Sequence, residues 1–173
     1  SGLRMTAVVD AFKPVDLVRI AQLINKTNQF NTTTRRHTLD DVTGFAAEPG
    51  SVTLQIRLLD KFGDNGIIGA MILRPIPEQP DALEVDTWVM SCRVFGRQLE
   101  FESMNIAVEA ARECGASCLY ADYVPTPKNG VIQSLYPDLG FVATPGSKAG
   151  VIRFVLQLKD YQPRTTHIRR TAE

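Results

Sequence analysis

The sequence is poor in the residues that most often announce a function. Its 173 residues include three cysteines, two histidines and one tryptophan, and nineteen Lys and Arg balance nineteen Asp and Glu. An odd, small number of cysteines excludes a disulfide scaffold. Zero net charge excludes the strong positive field of a nucleic-acid or anionic-membrane binder, so neither partner is expected. No apolar run approaches the roughly 18 residues that span a bilayer. No charged-then-apolar leader opens the chain, and a cytoplasmic setting is expected. What is present is ordinary: 44% hydrophobic and 22% charged residues, the balance of a globular protein of about one domain. Ser1-Gly2 reads as a cloning remnant, so a longer natural chain is expected. Residues 1–14 read as an extension, 15–160 as the folded domain and 161–173 as a basic tail.

Periodicity gives the elements. Val15 to Gln29 has helical spacing through Val15, Val18, Ile20, Leu23 and Ile24. A polar stretch, Phe30 to Thr38, follows, and Thr38 or Asp40 caps a short helix over Asp41 to Ala47. Val52 to Lys61 and Ile67 to Leu73 read as a hairpin around Gly63-Asp64-Asn65-Gly66, because Asn-Gly favours tight turns. Leu83 to Cys92 is a third strand. Arg97 to Cys114 reads as a helix stopped by Gly115, Cys118 to Val124 as a strand, Asn129 to Tyr136 as a short helix and Val151 to Leu158 as a last strand. This order predicts one α+β domain with a mixed, mostly antiparallel central sheet flanked by helices.

Two segments stand out chemically. Ser91 to Gln98 runs from a strand into a helix through Gly96, with Arg93 and Arg97 beside it. Free amides and the helix dipole there suit a phosphate, although many solvated turns look the same. The second segment is Asn129 to Phe141. Together, Arg93-x-x-Gly96 and the spacing of Asn129, Tyr136 and Gly140-Phe141 resemble the GNAT acyltransferase superfamily, and the element order agrees. Gln98 stands where that superfamily has glycine or alanine, which disfavours free coenzyme A.

Four longer stretches are similar to the C-terminal, GNAT-like half of the FkbH-like proteins. They are Thr27 to Arg36, Phe62 to Gly69, Asp86 to Val94 and Pro125 to Asn129. That resemblance implies transfer of a glyceryl unit, derived from a three-carbon glycolytic phosphate, to an acyl carrier protein in polyketide biosynthesis. It implies the carrier's phosphopantetheine as co-substrate, with no tightly bound cofactor and no metal. It also implies a haloacid-dehalogenase-type phosphatase half, for which no Asp-x-Asp motif precedes Thr27.

Such a transfer needs a thiol nucleophile, and Cys92 is the candidate. A strand end beside a helix start with arginines nearby raises the thiolate fraction; a small packed hydrophobe is the other reading. Alternation places Asp86, Trp88, Met90 and Cys92 on one face, with Asp86 on the order of 20 Å from Cys92, so Asp86 orients other groups. His37 is preferred over His167 as base, against a surface role. Asn129 and Tyr136 match residues that hold the pantetheine arm and protonate the leaving thiolate, although Tyr136 equally suits a packing role. Asn31, Thr126 and Lys128 are expected to hold the acyl group, and Arg35 and Arg36 the phosphopantetheine or an acidic carrier. Arg164, Arg169 and Arg170 form a third basic cluster. Cys114 and Cys118 read as packing residues. A coenzyme A-dependent N-acetyltransferase and a non-catalytic carrier-docking module remain alternatives.

Overall fold

The computed structural model describes residues 4–94, 96, 98–145 and 148–172. The elements follow one another as β1 (Met5–Asp10), α1 (Leu17–Lys26), β2 (Phe30–Asn31), α2 (Leu39–Ala47), β3 (Val52–Asp60), β4 (Gly63–Ile76) and β5 (Gln79–Met90). Then come α3 (Leu99–Glu113), β6 (Cys118–Tyr123), α4 (Leu135–Asp138), β7 (Val142–Ala143), β8 (Ile152–Gln157) and β9 (Ile168–Thr171). The sheet runs β7-β8-β6-β5-β4-β3-β1-β9, with β2 against β5. Its pairings are antiparallel except β5 with β6 and β1 with β9. The expected α+β class and mostly antiparallel mixed sheet are therefore what the chain adopts.

Helices cover both faces. Ile20, Leu23 and Ile24 of α1 and Val42 of α2 pack on Ile67, Ala70, Ile72 and Val89. On the other face, Leu99, Met104, Ala107 and Val108 of α3 join Trp88, Met90 and Tyr136 in the larger core. Thr38 caps α2 as expected: its hydroxyl accepts from Asp41 N while Asp41 accepts from Thr38 N, which satisfies two otherwise orphan donors.

Several expectations are corrected. The flanks expected to lie outside the domain carry strands: β1 sits between β3 and β9, and β9 is built from the tail. Val15 and Val18 are 85% and 56% exposed, so the buried stripe of the first helix begins at Ile20. The β3–β4 turn lies at Lys61-Phe62, and Asn65-Gly66 forms an irregularity inside the ladder. Gly66 is left-handed there, at φ +72°, which a residue without Cβ adopts freely. Residues 129–136 split into a single 3-10 turn, Gly130–Ile132, and the start of α4. Cys118 is buried, but Cys114 is exposed at the end of α3 and does not pack as expected.

An irregularity in β5 opens the sheet. Ile72 pairs with Thr87 and Leu73 with Val85, leaving Asp86 as the extra residue of a β-bulge. Parallel pairing of β5 with β6 stops at Val85 and Ala121, just before it. A bulge bends and twists its strand, so beyond Asp86 the two parallel strands part and leave a wedge.

Candidate functional site at the wedge between β5 and β6

The bulge sends Asp86 to the opposite face from Trp88 and Met90. Trp88 and Met90 enter the core beneath α3, whereas Asp86 meets groups from the α2 side, so the expected single face of Asp86, Trp88, Met90 and Cys92 is broken. Asp86 is buried, and Arg35 Nη1 donates to its Oδ1 at 2.9 Å. His37 Nε2 lies 2.8 Å from Oδ2, and the Thr87 hydroxyl donates to the same oxygen at 2.8 Å. An ionised carboxylate only accepts, so His37 Nε2 carries the proton. Burial pushes the Asp86 carboxyl up, but the His37 and Thr87 hydrogen bonds and the Arg35 charge outweigh it and hold it below the usual range. Asp86 thus gathers His37, Thr87 and Arg35 around one carboxylate.

That arrangement separates His37 from Cys92. The other ring nitrogen faces Asp41 at 3.8 Å, and Phe45 packs edge-on to the ring. With the imidazole fixed at Asp86, the rest of β5 to Met90, on the order of 13 Å of strand, and then Ser91 lie between it and Cys92. The two are not brought together.

The wedge is bridged by the segment after α1. Phe30 pairs with Met90 and Asn31 with Val89, on the edge of β5 that β6 vacates, since β4 holds the other edge. Thr32 O accepts from Val124 N at 2.8 Å, joining the segment to the end of β6. Asn129, 0% exposed, locks the bridge. Its Nδ2 donates to Asn31 O and Val124 O at 3.1 and 2.9 Å; its Oδ1 accepts from Thr126 N and the Tyr123 hydroxyl. Asn31 donates to Thr27 O and accepts from Thr34 N. Tyr136 is buried and its hydroxyl donates to Thr32 Oγ1 at 3.2 Å; burial pushes its pKa upward. Thr34 is left-handed at φ 58°, a strained conformation for a β-branched residue.

Two cavities flank this bridge. One, of about 220 Å³, lies between the start of α3 and α4, lined by Gly96, Glu100, Phe101, Ile132 and Asp138, with Phe30 at one wall. The other, of about 360 Å³, lies under the end of α1 and holds Cys92 with Arg19, Lys26, Asn28 and Gln29; Phe30 lines it too. The Cys92 thiol is exposed.

The remaining predicted residues have local partners. Arg36 donates to Ile24 O and Thr27 O, a cation closing the C-terminal end of α1. Arg93 reaches Asn65 O and Ser91 Oγ at 3.4 Å. Thr126 Oγ1 accepts from the amides of Lys128 and Asn129 within a turn, and Lys128 is exposed. Arg97 lies outside the described residues. Gln98, left-handed at φ 66°, points its side chain to the tail, accepting from His167 N at 3.2 Å. Two arginines of the third basic cluster are used internally: Arg170 pairs with Glu102 and Glu109, while Arg164 donates to Asp138 O and stacks on Phe101. Among the described residues no cluster of His, Cys, Asp or Glu could hold a metal, and no helix is long and apolar enough to cross a membrane.

Sequence reasoning missed Phe30, Thr32 and Trp88. Phe30 is an isolated aromatic at the head of a polar stretch, and Thr32 is one of three adjacent threonines; nothing local distinguishes either. Trp88 carries a signal: a lone tryptophan in a buried strand has an N–H that needs a partner. Among the described residues its Nε1 is the buried side-chain atom without one.

This architecture is the GNAT fold. The chain is similar in structure to the GNAT domain of S. lividans PAT, at 17% identity over 86% of this chain and 89% of that one, TM-score 0.67. It is similar to spermidine N-acetyltransferase from Vibrio cholerae, solved with CoA and spermine, at 15% identity, 90% and 98% coverage and TM-score 0.64. It also resembles the ribosomal-protein-S18-alanine N-acetyltransferase from Escherichia coli, at 11% identity, 88% and 94% coverage and TM-score 0.64. At such identities the likeness establishes the fold. No protein-family model matches the chain, and no curated protein sequence is significantly similar to it.

Proposed function

We propose that this protein is an acyltransferase that takes its acyl group from a pantetheine thioester and passes it to an amine, as a coenzyme A-dependent N-acetyltransferase does. The observation that carries the reading is the wedge: a bulge at Asp86 parts β5 from β6 beside a cavity between α3 and α4. A thioester arm in the α3–α4 cavity would bring its carbonyl to the bridge, and the cavity beneath α1 would take the acceptor. The amine attacks the carbonyl carbon, the carbon–sulfur bond breaks, and the proton shed by the amine nitrogen balances the one the departing thiolate takes up. Tyr136 is the acid in this reading. Its hydroxyl donates to Thr32 Oγ1, so the Thr32 hydroxyl gives its proton to the thiolate as Tyr136 replaces it, and the proton shed by the amine restores the tyrosine. Asn129 holds the wedge at its width, Arg35 and Asp86 fix the segment carrying Thr32, and Gly96 admits the arm beside α3.

A second reading rests on Cys92, an exposed thiol in a cavity with Arg19 and Lys26. There the acceptor is Cys92 itself, which passes a glyceryl unit to the phosphopantetheine of an acyl carrier protein, with a separate phosphatase partner supplying the group. Intact-mass analysis separates the two. Incubation with acetyl-CoA and a panel of amines yields acetylated amine in the first case, undiminished in Cys92→Ala. Incubation with 1,3-bisphosphoglycerate, the phosphatase partner and carrier protein yields a glyceryl adduct lost in Cys92→Ala in the second. Absence of both products refutes catalysis and leaves a docking module.

A further inference from the structure

Phe30 lines both cavities. Its ring is buried and packs edge-on against Trp88, with centroids 5.1 Å apart. Trp88 is wholly buried beside Tyr136, and its indole Nε1 has no hydrogen-bond partner. A folded protein rarely leaves a buried donor unpaired, and such an atom marks where a partner is missing.

We infer that the Phe30 ring is a gate between the two cavities and that the Trp88 indole N–H behind it receives the carbonyl oxygen of an acyl thioester. The inference rests on the proposed thioester reading and adds a carbonyl-recognising residue to it. Trp88 itself lines neither cavity, so in this inference the indole is reached only when the Phe30 ring turns aside. An acyl carbonyl arriving from the α3–α4 side then accepts from Nε1. A donor held in a dry pocket and aimed at a developing oxyanion is the arrangement that stabilises acyl transfer. Free coenzyme A has no such carbonyl. The site therefore discriminates acyl thioester from free thiol, and does so at an atom distinct from Tyr136 and Asn129.

Calorimetry with acetyl-CoA and with CoA, on wild type and Trp88→Phe, tests the donor. The expected result is an unchanged CoA affinity in Trp88→Phe with the preference for acetyl-CoA reduced at least 5-fold. Equal loss for both ligands, or no change in preference, overturns it. Trp88 is the only tryptophan, so acrylamide quenching reports on the gate directly. Phe30→Ala, or Phe30→Leu should alanine fail to fold, raises the quenching constant at least 3-fold. An unchanged constant in a folded variant refutes the gate. If wild type binds neither acetyl-CoA nor CoA, the thioester reading fails and the carbonyl role falls with it, while the quenching result still decides whether Phe30 separates the cavities.

Discussion

Asp86→Asn isolates the charge at the bulge without changing its shape. The carboxylate accepts from His37, Thr87 and Arg35. An amide supplies one acceptor oxygen and turns an NH2 group toward a neighbour that is itself a donor. The His37 side chain is only 12% exposed, so the lost charge-assisted bond is worth about 1.5–3 kcal/mol. Arg35 is 40% exposed, and solvent screening reduces its pair to under about 1 kcal/mol. The sum, about 2–4 kcal/mol at pH 7, corresponds to a fall in Tm of roughly 5–15 °C for a chain of this size. The pH dependence gives an independent handle. The folded pKa of Asp86 lies below its unfolded value, which is about 3.9. Its stabilisation is therefore complete above the unfolded value and is lost as pH falls through the folded one. Urea titrations of wild type and variant from pH 7 to pH 3 measure both effects. The variant starts lower and its acid limb is shallower. A variant within about 0.5 kcal/mol of wild type at pH 7, or one with the same acid limb, refutes the assignment of Asp86 as the hub.

Two further outcomes concern the bridge. Asn129→Ala strips the donors from Asn31 O and Val124 O and the acceptor from Thr126 N and Tyr123; unpaired buried groups at about 1–3 kcal/mol each, partly relieved by water, predict a loss of about 3 kcal/mol in urea unfolding. Tyr136→Phe removes one buried hydrogen bond to Thr32 and costs about 1 kcal/mol at pH 7. Because the folded pKa of Tyr136 is raised, its contribution is full below the unfolded value near 10 and fades as pH rises above it. The variant's alkaline limb, measured by the same titration, is therefore flatter than wild type's.

How much of this was legible in the sequence depends on whether the cause is local. The α2 cap was, because Thr38 and Asp41 satisfy each other within one turn. The bulge was not: it inserts one residue opposite Leu73 and Ile72, and alternation along β5 alone counts through it without a break. Everything the bulge decides was hidden with it, from the reversal of Asp86 against Trp88 to the parting of β5 and β6. The tail was misread for a related reason. Arg164 and Arg170 look like a solvated basic run until α3 places Phe101, Glu102 and Glu109 opposite them. The Asn-Gly pair failed differently: a left-handed glycine serves a bulge as well as a turn, and Gly66 is needed within the ladder because the two-residue turn at Lys61-Phe62 has already closed the hairpin. Each miss comes from a constraint imposed across the sheet, between residues far apart in sequence. That is also why Phe30, set by the edge that β6 leaves open, could not be picked out from its neighbours.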